Sequence, residues 1–338
     1  RKNMKHYAHA GGDVITASIM HKPWDGQTYD YFETMVTWMK KADGSWYFDY
    51  TIFDKWVEFM MGMGVDKQIN CYSMIPWKLS FQYYDQATNS LQYIKAKPGD
   101  STYHNLWVTM LTSFAKHLKE KGWFDKTYIA MDERPLEDMQ AALKVIWDAD
   151  KNYKVALAGN LHKELIGDID DYCISYGQHF TTEMLTEREA ANMNSTYYTS
   201  CAHPHPNTFT FSPPAQSEWL AWSAAAQHLD GFLRWAYNSW VIEPLLDSRF
   251  KTWAAGDTYF VYPGGRTSIR FERLVAGIQQ YEKIHILKQA LIRQGKERNI
   301  KKLNKILEDF KELKPEEETA SEAIHEAKKK LRRLYQKI

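Results

Sequence analysis

The sequence predicts an α/β fold, a TIM-type (β/α)8 barrel with C-terminal helices, and three observations carry that prediction. Short apolar runs rich in β-branched and aromatic residues recur along the chain, as strands buried on both faces do. The segments between them carry apolar residues at i, i+3 or i+4 and i+7, the spacing of helices with one buried face. The β-then-α order repeats over roughly 250 residues, which favours a closed barrel over an open doubly wound sheet.

In chain order the strand candidates are VITASIM (14–20), QINCYSM (68–74), TYIAMD (127–132), VALAG (155–159), YCISYG (172–177), TYYTSCA (196–202), FLRWAYNSW (232–240) and YFVYP (259–263). The helical segments between them are FDKWVEFMMGMG, NLWVTMLTSFAKHLKEKG, PLEDMQAALKVIWDA, EMLTEREAANM and EWLAWSAAAQHL. Either the eight runs are the barrel, or the barrel lacks its first strand in this chain and YFVYP belongs to a terminal loop. Residues 1–10 read as the helix after such a first strand, closed by Gly11 and Gly12, and this favours the second version. An export signal or a preceding domain would then lie upstream.

Within MVTWMKKADGSWYFDY, Asp43-Gly44 supplies a hairpin turn between two aromatic runs, expected as an insertion on the loop face. From about Ser268 the pattern becomes one long amphipathic helix, and the Lys/Glu-rich tail beyond it is interrupted by Pro315. We read residues 1–291 as the barrel domain and 292–338 as a helical extension, with two surface-packed helices over 296–338. KKKLRR (328–333) reads as a solvated helix face, with Glu322 and Glu326 one turn upstream.

The 338 residues, 44% hydrophobic and 25% charged, are enough for one large domain plus an appendage. Lys plus Arg (43) balances Asp plus Glu (42), so no electrostatic footprint for nucleic acid or an anionic membrane is present. No apolar run is long enough for a transmembrane helix. Cys71, Cys173 and Cys201 lie far apart in apolar runs and are expected to be buried free thiols.

Barrel chemistry sits at the C-terminal ends of the strands, and there YIAMDERP (128–135) places two adjacent carboxylates. Tyr128, Ala130 and Asp132 share one strand face and Ile129 and Met131 the other. Small Ala130 suits a crowded interior, so Asp132 is expected at its rim. Pro135, at the first helical turn, holds Arg134 extended, and the strand alternation has ended by Glu133. Both acids can then turn towards one mouth; alternatively one caps the following helix and the other pairs with Arg134.

From about Val14 to Tyr281 the sequence resembles glycoside hydrolase family 123, the β-N-acetylgalactosaminidases. The strings that carry the resemblance are WVEFMMGMGVDKQINCYSMIPW, YIAMDERP, GFLRWAYNSW, DSRFKTWAAGDTYFVYPG and SIRFERL. It implies a catalytic (β/α) barrel, normally preceded by a β-sandwich domain, and retaining, substrate-assisted removal of β-linked N-acetylgalactosamine from glycans or glycolipids. Glu133 would be the general acid/base, and Asp132 would orient and polarise the 2-acetamido group. Asp132 is then expected to stay ionised and Glu133 to hold a raised pKa. The resemblance also implies an extracytoplasmic location.

Aromatic residues in FLRWAYNSW offer a sugar-binding wall: Trp235, Tyr237, Asn238 and Trp240, of which alternation lets about two face a pocket. Tyr176 and Trp77 follow strand ends in similar positions. Asp257 and Tyr262 could bind ring hydroxyls, and Asp257 could equally fix a loop. AHPHPNTFTFSPP (202–214) reads as irregular cleft rim, and its His203 and His205 lack a companion ligand set, so no metal or cofactor is expected. No Walker loop, GxGxxG, GxSxG or HExxH motif is present. Two alternatives remain open from sequence: a non-catalytic amino-sugar-binding barrel, and a retaining glycosidase with a protein nucleophile such as Asp257.

Overall fold

A computed structural model describes residues 1–315 and 318–336. The elements run α1 (Lys2–His9), β1 (Val14–Ser18), β2 (Thr37–Lys40), β3 (Trp46–Asp49), α2 (Thr51–Met61), β4 (Gln68–Tyr72), β5 (Ser80–Asp85) and β6 (Ser90–Lys95). They continue with α3 (Ser101–Lys121), β7 (Thr127–Met131), α4 (Leu136–Ala149), β8 (Lys154–Gly159), β9 (Asp171–Ser175), α5 (Thr182–Ala190) and β10 (Asn194–Tyr198). The last are α6 (Pro214–Ala226), β11 (Gly231–Leu233), α7 (Ile269–Arg293), α8 (Glu297–Glu308) and α9 (Ala320–Tyr335). The fold is α/β, an open seven-stranded sheet in the order β1-β4-β7-β8-β9-β10-β11 with C-terminal helices, consistent with an incomplete TIM barrel. YFVYP lies outside this sheet, as expected for the version of the barrel with a terminal loop.

The chain divides into two compact units, residues 7–171 and residues 1–6 with 172–338. In the first, β4 is buried at every position although QINCY carries two polar residues: Gln68 Nε2 donates to Asn70 Oδ1 at 2.9 Å and to Asp171 Oδ2 at 2.6 Å, which satisfies them out of water. Ala130 of β7 and Ala156 of β8 sit in register and pack with Tyr72, against Trp24 and Tyr128. Two alanines leave room there for three large rings. Ile129 and Met131 are fully buried on the opposite face of β7.

The hairpin at Asp43-Gly44 forms β2 and β3; Gly44 takes a φ of 84° at the turn, where a side chain would be strained. The structure adds a second hairpin, β5 and β6, and the two make a four-stranded sheet in the order β3-β2-β5-β6. Trp38 of this sheet donates to Ile19 O at 2.9 Å and meets Trp107 of α3 edge to face, with centroids 5.2 Å apart.

In the second unit, every residue of α6 from Ala215 to Ala226 is buried. Trp219 and Trp222 both place their rings 4.5 Å from Phe310, and Leu287 and Leu291 of α7, Leu303 of α8 and Ile324 and Leu331 of α9 complete that core. A Cβ at Gly277 of α7 would stand 2.6 Å from Glu218 O, so glycine is what lets α7 approach α6 this closely. Thr319 and Glu322 form a reciprocal cap at the start of α9, a T-x-x-E pattern.

KKKLRR is not solvated throughout. Glu218 of α6 is fully buried, and Arg273 of α7 reaches it at 2.6 Å and Lys328 of α9 at 2.5 Å. A carboxylate out of water is tolerated only while such partners neutralise it. Arg273→Met with Lys328→Met is therefore expected to lower the unfolding free energy by about 3–5 kcal/mol, the usual cost of leaving a buried charge unpaired. Urea denaturation reads this directly, and an unchanged midpoint would show that the clasp carries no stability.

Two expectations need correction. Cys71 and Cys173 are buried, but Cys201 is exposed, because β10 ends at Tyr198 and the chain has left the sheet before reaching it. FLRWAYNSW contributes only its first residues to a strand, β11; beyond Leu233 it leaves the sheet and is held by an isolated bridge at Asn238, with backbone bonds from Ser239 N to Thr258 O and from Phe260 N to Tyr237 O, and by side-chain bonds.

Candidate active site

Asp132 and Glu133 follow the last residue of β7, and Pro135 is the N-cap of α4 with no side-chain cap bond. Neither acid occupies the N-cap position itself. The Asp132 side chain retains 17% exposure, whereas Glu133 is exposed. One acid stands at the rim of the packed interior, as the alternation predicts, and its neighbour faces out.

Arg134 holds this turn in shape. It donates Nε to Ile75 O at 2.9 Å and Nη1 to Glu133 O at 2.7 Å, and its guanidinium lies 4.0 Å above the Trp77 ring. Its Nη2 is 3.4 Å from Asp132 Oδ1, an ion contact without hydrogen-bond geometry. Trp77, 43% exposed, lies beside the Asp132 side chain and favours its ionised form.

Burial pushes the Asp132 carboxyl up to about 6; Arg134, Asp132's own backbone N–H and Trp77 pull it down by less, and the Glu133 charge adds a small push upward. At pH 7 the group is still mostly ionised, but a fall of one pH unit protonates half of it. Glu133, Arg134, Pro135, Leu136, Met139, Gly159, Asn160 and His162 line a cavity of about 340 Å³ beside the pair.

The other predicted residues lie in the second unit. Asp257 pairs with Arg234 at 2.5 Å, both almost fully buried, and receives Trp235 Nε1 at 3.4 Å. Trp240 Nε1 donates to Val261 O at 2.7 Å, and Tyr237 OH to Asn3 O at 2.8 Å. Asn238 bridges to Tyr259, whose ring meets Tyr262 edge to face at 5.3 Å. Tyr176 OH accepts from Leu313 N at 3.4 Å. His203 Nδ1 accepts from Ser200 N at 3.0 Å and His205 Nδ1 lies 2.8 Å from Gln216 Nε2; among the described residues no group of three or more His, Cys, Asp or Glu could hold a metal.

Residues 1–287 match the glycoside hydrolase 123 catalytic domain. The chain belongs to glycoside hydrolase family 123. A solved family 123 glycoside hydrolase from Clostridium perfringens, studied for the details of glycolipid glycan hydrolysis, is 32% identical to this family 123 chain with a TM-score of 0.83. The likeness covers 90% of this chain and 56% of that one, so this chain spans little more than half of its relative's length. No curated protein sequence matches it. No helix among the described residues is long and apolar enough to cross a membrane.

Several residues around the pair escaped the sequence reading. The Trp24 ring lies 5.2 Å from that of Tyr72, tilted against it and packed beside Ala130, and Gly159, Asn160 and His162 line the same cavity as Glu133 from the end of β8. Trp24 sits in HKPWDG, a turn after β1, and GNLH follows VALA. Their position after strand ends was the available signal, but nothing in either string says which strand becomes a neighbour.

Proposed function

We propose that this family 123 glycosidase removes β-linked N-acetylgalactosamine from glycans or glycolipids with retention, using the substrate's own 2-acetamido group as nucleophile. The observation that carries the reading is the unequal pair at the end of β7: a buried Asp132 held by Trp77 and Arg134, next to an exposed Glu133 on the wall of a ligand-sized cavity. A double displacement on a protein nucleophile needs its carboxylates on opposite sides of the sugar, about 5–5.5 Å apart. An intramolecular carbonyl oxygen removes that requirement.

In the first step the acetamide oxygen bonds to the anomeric carbon as the glycosidic bond breaks. Glu133 gives its proton to the departing oxygen, and ionised Asp132 accepts a hydrogen bond from the acetamide N–H and balances the positive charge that develops there. Water then adds at the anomeric carbon and passes its proton to the Glu133 carboxylate, while the ring-closed intermediate reopens to the acetamide. Effective molarities of about 10⁵–10⁸ M for aligned internal nucleophiles exceed the ~10²–10⁴ of acid assistance, so holding the acetamide is the larger contribution.

Trp77 is our proposed sugar contact beside the pair, and Trp235 and Trp240, half-buried with their N–H groups bonded, suit stacking on a sugar face. Asp257 is buried against Arg234, which does not suit a nucleophile. The decisive assay compares aryl β-N-acetylgalactosaminide, its gluco epimer and plain aryl galactoside, with and without a thiazoline mimic of the intermediate. Cleavage of the acetamido substrates only, blocked by the thiazoline, is expected. Comparable cleavage of the plain galactoside would sink substrate assistance, and no cleavage of any of them would favour a binding protein.

A further inference from the structure

We infer that the cavity between the turn after β7 and the end of β8 is a leaving-group subsite, taking the sugar ring to which the cleaved residue was attached, with Asn160 and His162 as its polar contacts. The inference rests on the hydrolase reading above and adds the chemical class of the leaving group. Its volume of about 340 Å³ is within the range of small-ligand sites. Its wall combines the two kinds of group a pyranose meets: Pro135, Leu136 and Met139 are apolar and suit C–H groups, while the Asn160 amide and the His162 imidazole suit hydroxyls.

The side of the bond follows from the proton. Glu133 must deliver it to the departing oxygen, so the departing ring has to lie on the side Glu133 faces, and Glu133 lines this cavity. The acetamide belongs with Asp132, and neither Asp132 nor its neighbour Trp77 is among the residues of this wall. Gly159 contributes openness: a Cβ there would stand 3.6 Å from Glu133 Cα and 3.9 Å from Glu133 Cγ. That is ordinary contact without clash, and the glycine has no left-handed φ that would strain another residue. Its missing side chain is accounted for by the space it leaves beside Glu133.

The test is a substrate ratio. For the unaltered chain and for Asn160→Ala with His162→Ala, kcat/KM is measured on a disaccharide with β-linked N-acetylgalactosamine on galactose and on the 4-nitrophenyl glycoside. The nitrophenyl group has no hydroxyls for either residue. Loss of two hydrogen bonds predicts that the disaccharide-to-aryl ratio falls about tenfold or more. A ratio that stays within about fivefold of the unaltered chain's would overturn the subsite. If the double variant does not fold, Gly159→Ala, whose Cβ would make only ordinary contacts with Glu133, is held to the same ratio. Failure of the unaltered chain to cleave either substrate would remove the hydrolase reading instead, and the subsite with it.

Discussion

Asp132→Asn is expected to lower kcat/KM on N-acetyl-β-galactosaminides by about 10²–10³-fold, the scale seen when one preorganised partner of a developing charge is removed. The same residue should set the acid limb of the pH profile. Because burial holds its carboxyl at about 6, activity should fall about tenfold per pH unit below that value, as the ionised form that balances the acetamide is lost. A profile flat from pH 7 to pH 5 would remove Asp132 from that role.

The stability effect has the opposite sign. The folded value of about 6 lies above the ordinary 3.8, so the fold prefers the neutral acid. That preference contributes fully below about pH 4 and is lost as pH rises through 6. At pH 7 the charged form carries a cost, which we place at about 1–2 kcal/mol after allowing for the partial exposure of the side chain. Asp132→Asn should therefore unfold at higher urea than the unaltered chain at pH 7, with the gap closing at pH 4. An acid kept charged at a cost to the fold, yet required for turnover, is what a functional role predicts and a structural one does not.

Glu133→Gln should act differently. With a sugar as leaving group, loss of the proton donor should cost about 10²–10⁴-fold in kcat, whereas a nitrophenolate, which departs without help, should lose less than about tenfold. The measurement is a series of aryl leaving groups of graded basicity: the variant should show a steep dependence where the unaltered chain shows a shallow one. Equal losses across the series would mean that Glu133 supports structure rather than transferring a proton. Glu133 is exposed, and Arg134 bonds its backbone carbonyl, which the substitution keeps, so the turn should stay intact.

The order of strands and helices was legible because burial on both faces writes itself as continuous apolar runs. VALAG and TYIAM are examples, and each became a mostly buried strand, β8 and β7. The hairpin of β5 and β6 was not legible: SFQYYD and SLQYIK mix polar with aromatic and aliphatic residues, and of the twelve only Phe81 is buried, so no apolar run marks either strand. Thr88-Asn89 between them was the missed turn signal, with Asn89 at a φ of 51°. Cys201 was misread for a related reason, since an apolar neighbourhood does not show where a strand stops.

By itself the sequence determined the alternation of strands and helices, the adjacency of two carboxylates at a strand end and, through long and uncommon strings, the family. Those are properties of neighbours along the chain. The unequal environments of Asp132 and Glu133, the stacking of Arg134 on Trp77 and the approach of Gly159, Asn160 and His162 to Glu133 were decided only by the tertiary structure. A carboxyl's pKa depends on how much water the packed protein leaves around it. The wall of a cavity depends on which strand lies alongside, and no local pattern encodes either.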